Sequence, residues 1–162
     1  MTISTSITND LTRLADDIKL WGRELGFSDI GITDTDLSHA EEYHQKWVEK
    51  GFHGEMDYMA KHGTKRTRPA ELIPNTTRII SARLDYLPDK AKDSWQVMND
   101  GEQAFISRYT LGRDYHKVVR HKLQKLCDKI QQATQGVEYR VFTDSAPVLE
   151  VALAEKSGLG WR

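Results

Sequence analysis

The sequence has 162 residues, of which 38% are hydrophobic and 29% charged, with a net charge of −1. That is enough chain for one domain with a real core, and the balanced charge argues against a dominant nucleic-acid footprint. A single cysteine, Cys127, excludes an internal disulfide and cannot alone supply a zinc or iron–sulfur site, so a reducing cytoplasm is the expected location. Residues 1–10 lack a hydrophobic signal core, and no stretch approaches the ~20 apolar residues of a membrane span, so no membrane association is expected.

Residues 1–8 are polar and are expected as a disordered lead, with one domain over 9–162. Leu11, Leu14, Ala15, Ile18 and Leu25 follow helical spacing, and Gly26 ends that helix. Phe27–Thr33 reads as a strand with Ile30 and Ile32 on one face. Leu37, Ala40, Tyr43, His44, Trp47 and Val48 mark a second helix stopped by Gly51. Residues 53–74 read as irregular. Ile79–Leu87 alternates as a half-buried strand, 88–102 as an exposed loop, and Ala104–Tyr109 as a further strand. Tyr115, Val118, Val119, Leu123, Leu126, Cys127 and Ile130 form a strongly amphipathic helix. A last strand, Val137–Thr143, leads to Asp144 and a helix with Pro147 in its first turn. The order predicts a layered α/β domain (α+β) with a mixed or antiparallel central sheet flanked by helices. Gly158-Leu-Gly-Trp-Arg162 reads as a helix cap opening a loop, which is expected to lead on into a longer protein.

Four groups of residues are candidates for chemistry. Asp144 sits at a strand-to-helix junction, the rim where α/β folds place small-molecule sites; the competing reading is a helix cap. Lys61-His-Gly-Thr-Lys-Arg-Thr-Arg-Pro69 could hold a phosphate or an amide-rich cofactor through directional guanidinium donors, or be a solvated basic loop. Ser107-Arg-Tyr-Thr-Leu-Gly-Arg-Asp-Tyr-His116 is rich for a connection, although Asp114 can be an N-cap and Tyr115 a packing residue. His53, Glu55, Asp57 and His62 match no dedicated metal spacing, so no metal ligands are assigned. Cys127, on an apolar helix face, reads as an inert thiol. Gly158-Leu-Gly160 follows a helix and lacks the dinucleotide fingerprint. No phosphate-binding Walker loop or nucleophile elbow is present.

Six stretches in order resemble the N-terminal part of the epoxyqueuosine reductase family. They are Gly54–Met59, Lys65–Leu72, Ile79–Tyr86, Ile106-Ser-Arg-Tyr109 with Gly112–His116, Val141–Glu150, and Ala154–Trp161. The resemblance covers nearly all the chain from Leu11. It implies the cobalamin-binding domain type shared with reductive dehalogenases, and reduction of the epoxide of epoxyqueuosine to queuosine at the tRNA wobble position.

By motif matching, the resemblance implies Asp144 as proton donor and Arg66 and Ser107 as cobalamin-pocket residues. Arg108, Tyr109 and Tyr115 are further candidates, with Asp144 also facing the cofactor. An enclosed carboxyl can stay protonated when desolvation raises its pKa. Family members are expected to carry two 4Fe-4S clusters and to act as monomers. One cysteine cannot ligate such clusters, so the chain alone is expected to be inactive, with most tRNA contacts elsewhere. The alternative is a non-catalytic cobalamin-binding or trafficking module.

Overall fold

A computed structural model describes residues 2–87, 90–134 and 136–161, with side chains described from Asp10 onward. In chain order the elements are α1 (Thr2–Glu24), β1 (Asp29–Thr33), α2 (Ser38–Glu49), α3 (Tyr58–Lys61), α4 (Pro69–Leu72), β2 (Ile79–Arg83), α5 (Ser94–Met98), α6 (Tyr115–Thr134) and α7 (Glu150–Lys156). Two 3₁₀ turns, Gly63–Arg66 and Arg108–Thr110, complete them. Two units result, residues 1–83 with 145–162 and residues 84–144, where the sequence predicts one domain over 9–162.

The first unit holds the sheet. β1 and β2 pair antiparallel, with Ile30 opposite Ala82 and Ile32 opposite Ile80. Two glycines set the packing distance. A Cβ on Gly22 of α1 would lie 2.3 Å from Ile30 Cγ1, and one on Gly31 would lie 2.3 Å from Ser157 Oγ and 2.9 Å from the Ser157 carbonyl oxygen. The α1 helix and the turn after α7 therefore approach β1 more closely than any larger residue permits. Leu37 and Ala40 pack with Ala152 and Leu153, and Ile79, Val148 and Leu149 close around them. Each such leucine contributes about 1.5–3 kcal/mol by leaving water.

Helix α1 begins at Thr2. No Gly or Pro interrupts Thr2–Asp10, and a nucleated helix extends at one hydrogen bond per residue. It ends as predicted at Gly26, whose φ of 82° reverses the chain. The irregular segment 53–74 is a run of short helical turns, with Pro69 opening α4.

The second unit is built on α6. Its apolar stripe buries Leu126 and Ile130. Asp114 caps α6, accepting from the His116 N–H at 3.0 Å. Inside the loop predicted over 88–102, Asp93 caps α5 through the N–H groups of Trp95 and Gln96.

Two predicted strands are absent among the described residues. Ala104–Tyr109 is extended and then closes into the Arg108–Thr110 turn, and Val137–Thr143 runs without regular structure. Strand-like composition needs a neighbouring backbone ladder, and α6 spends its own backbone groups internally. The 137–144 segment is held instead by side chains. Tyr139 donates to Asp128 at 2.8 Å, and Gln124 donates to the Tyr139 hydroxyl. The central sheet thus has two strands rather than four, and the fold is mainly helical.

Candidate functional site

The second unit gathers Asp114, Tyr115, His116 and Asp144. The Tyr115 hydroxyl donates to Asp144 Oδ2, and His116 Nε2 lies 3.7 Å from the same oxygen. On its other side the imidazole meets Asp114, with Nδ1 3.0 Å from Oδ1. A carboxylate, an imidazole and a phenol therefore share one oxygen, with a second carboxylate orienting the imidazole. The hydrogen bond to Asp144, helped by desolvation and the carboxylate charge, pushes the Tyr115 phenol up to about 12. The contact with His116 holds the Asp114 carboxyl below its ordinary range.

Asp144 does not cap α7, whose N-cap is Leu149. The helix start beside it is that of α6, through the first-turn side chains of Tyr115 and His116. Its backbone has a φ of 53°, a left-handed conformation that aspartate tolerates better than most residues but that carries strain. The Asp144 side chain is 48% exposed, so this chain does not enclose it. Next to it, the Thr143 hydroxyl oxygen is buried without a hydrogen-bond partner.

A ladder of rings runs from this cluster. His116 stacks on Tyr115 at 4.0 Å between centroids, Tyr115 meets Tyr109 edge-on at 5.7 Å, and Tyr109 meets Tyr86 edge-on at 6.5 Å. Tyr86 and Tyr109 are exposed. Ser107 precedes the 3₁₀ turn; its carbonyl accepts from Thr110, while its exposed hydroxyl has no partner among the described residues. Arg108 is partly committed, since Nη2 donates to the Lys92 carbonyl at 2.8 Å and to Ser94 Oγ.

Arg66 belongs to the first unit, whereas the other five predicted site residues belong to the second. It is 7% exposed. Its Nη2 donates to the Tyr58 carbonyl at 2.8 Å, its Nε is buried without a partner, and its carbonyl accepts from the Leu149 N–H. Beside it, burial and the Arg66 charge lower the pKa of His44. Other residues of the basic loop bond within the first unit. Arg68 grips Glu41 through Nε at 3.0 Å and Nη2 at 2.7 Å, and Thr67, 2% exposed, donates to the same carboxylate. Glu71 ties Arg68 to Thr64. These bonds hold Glu41 and Glu71 below the usual carboxylate range.

His116 and Tyr86 are the members that sequence reasoning did not single out. The Asp-Tyr-His run at a helix start was the available signal for His116; nothing local marked Tyr86. His53, Glu55, Asp57 and His62 form no cluster of three or more candidate metal ligands among the described residues. Burial and the nearby Asp128 push the Cys127 thiol up to about 11, away from nucleophile chemistry. No helix among the described residues is long and apolar enough to cross a membrane.

Two carboxylates flank an imidazole, beside exposed aromatic rings on a mainly helical α+β frame; these are residue types that proton transfer uses. The family model described as Epoxyqueuosine reductase QueG, DUF1730, matches residues 66–145. The chain is 56% identical to the epoxyqueuosine reductase of Pseudomonas aeruginosa over 94% of its length and 54% identical to that of Escherichia coli, also over 94%. It covers 42% and 40% of those two proteins, so it spans about two fifths of the length of the curated relatives it matches. The structure of epoxyqueuosine reductase from Streptococcus thermophilus superposes with a TM-score of 0.68 at 25% identity, over 90% of this chain and 38% of that one. A crystal structure of epoxyqueuosine reductase with an epoxyqueuosine-modified tRNA-Tyr stem loop gives 0.73 at 22% identity, over 93% and 39%. Over 94% of its length the chain matches a part of the epoxyqueuosine reductases.

Proposed function

We propose that this chain forms the proton-donating, cofactor-facing part of an epoxyqueuosine reductase, acting in the cytoplasm on the epoxide of epoxyqueuosine at the tRNA wobble position. The observation that carries the reading is the Asp144 carboxylate held by the Tyr115 hydroxyl, with His116 Nε2 3.7 Å away. Converting the epoxide to the alkene of queuosine consumes two electrons and two protons and releases water. Protonated Asp144 donates to the departing oxygen. The Tyr115 hydroxyl then stabilises the carboxylate left behind, and His116, with Nε2 3.7 Å from the same oxygen, is placed to relay the returning proton. The Asp144 side chain is 48% exposed in this chain, so a ligand can reach it.

The residues fit a cobalamin in part. The unpartnered Ser107 hydroxyl suits an amide-rich rim, and the exposed rings of Tyr109 and Tyr86 suit a broad apolar face. Tyr115 serves through Asp144, and Arg108 offers what its loop contacts leave free. Arg66 lies in the first unit, where its Nε is buried without a partner among the described residues. When bound, the cobalamin supplies reducing equivalents. The 4Fe-4S clusters do not fit this chain, whose single cysteine cannot hold one.

The test uses the full-length protein with Asp144→Asn, which keeps size and removes the acid. Cobalamin binding, read by absorbance, stays unchanged, and epoxide reduction falls about a hundredfold or more. Unchanged turnover refutes the donor role and favours the non-catalytic cobalamin-binding module.

A further inference from the structure

The segment around α6 carries a net positive charge. Between positions 113 and 129 stand Arg113, Lys117, Arg120, Lys122, Lys125 and Lys129 against two aspartates, a balance of +4 in a sequence whose total is −1. Lys117, His121 and Lys125 lie four residues apart and so fall along one line of the helix, each about 6 Å beyond the last. Arg120 flanks that line, and all four side chains belong to exposed residues. The apolar stripe with Leu126 and Ile130 is turned the other way.

Asp114 is engaged by His116 and touches Lys117 only at 3.9 Å, with the lysine side chain 86% exposed. Asp128 is engaged by Gln124 and Tyr139. Arg113, Arg120 and Lys125 have no ion pair among the described residues. Elsewhere, in the first unit, Lys46 pairs with Glu42, Arg68 with Glu41 and Glu71, and Lys156 with Asp34.

We propose that this face is an RNA-backbone contact, with Lys117, Arg120 and Lys125 each meeting phosphate oxygens. The contact positions the RNA without reading its sequence. This inference rests on the tRNA reading above and revises the expectation, drawn from net charge, that most tRNA contacts lie elsewhere. A total of −1 conceals a segment of opposite sign.

The experiment measures binding of a labelled anticodon stem-loop RNA to the full-length protein over a range of salt. The variant is Lys117→Gln/Arg120→Gln/Lys125→Gln, and glutamine preserves helix propensity. We expect the Kd at low salt to rise about tenfold or more. The slope of log K against log[salt] should become shallower by about 2 to 3, close to one unit for each phosphate that is no longer neutralised. The kcat at saturating RNA stays within about twofold of wild type, because no reacting group is touched. Lys46→Gln, which removes a paired lysine, leaves both Kd and slope unchanged. If wild type binds and the triple variant retains its affinity and slope, this inference fails while the tRNA reading stands. If wild type does not bind the stem-loop at all, both fail.

Discussion

The two units use the same residue types for opposite purposes. In residues 53–74 of the first unit, arginine, threonine and glutamate satisfy one another, with Arg68 clamped on Glu41 and Arg66 buried against a carbonyl. In the second unit, Asp144 is half exposed and strained, the Ser107 hydroxyl has no partner, and aromatic rings face outward. Polar groups whose hydrogen bonds are made within the fold stabilise it. Groups left open, or held in a costly conformation, are available for a ligand. The two basic segments look alike as strings of letters and differ in how their polar groups are paired.

Stability should respond mostly to the first unit. Leu153→Ala removes a side chain that is 3% exposed and should cost about 2–5 kcal/mol, measured by denaturant unfolding. Gly31→Val forces a Cβ against Ser157 and should destabilise by about 1–3 kcal/mol. By contrast, Tyr115→Phe should lower the melting temperature only slightly while lowering kcat about tenfold or more, the value of one hydrogen bond to a charged group. A tyrosine variant that unfolds the protein but spares turnover of the residual fold would dissolve the contrast.

pH separates the units more gently. The carboxyl of Glu41 is held low by Arg68 and Thr67, so its contribution is complete above its ordinary pKa and is lost as pH falls through the depressed value. Acid unfolding of Glu41→Gln should therefore be flatter than that of wild type below about pH 4.5. Tyr115, raised to about 12, works in the opposite sense: its contribution is complete below about pH 10 and disappears as pH rises through the folded value. In an ultraviolet titration, Tyr115→Phe should delete a late-ionising tyrosine. This is the smallest of the expected effects.

Much of the frame is legible in the sequence because it depends on local pattern. The period of α6, the glycine stops at 26 and 51, the Asp114 cap and the alternation in β1 and β2 are all short-range signals. The failures share a cause. Ala104–Tyr109 and Val137–Thr143 have strand-like composition, but a strand exists only where another backbone lies alongside, and these segments have none among the described residues. Likewise, nothing near Arg66 announces its burial, since the partner carbonyl is that of Tyr58, eight residues back. Asp144 stood out as a carboxylate between two apolar runs. Its left-handed backbone and its link to Tyr115, 29 positions away, depend on the folded chain.

The most direct test is single-turnover reduction of an epoxyqueuosine-containing stem-loop by full-length Asp144→Asn, with reduced cofactor in excess so that electron supply does not limit the rate. The rate constant should fall about a hundredfold or more, with RNA affinity unchanged. A rate constant within about threefold of wild type would contradict the assignment of Asp144 as the acid.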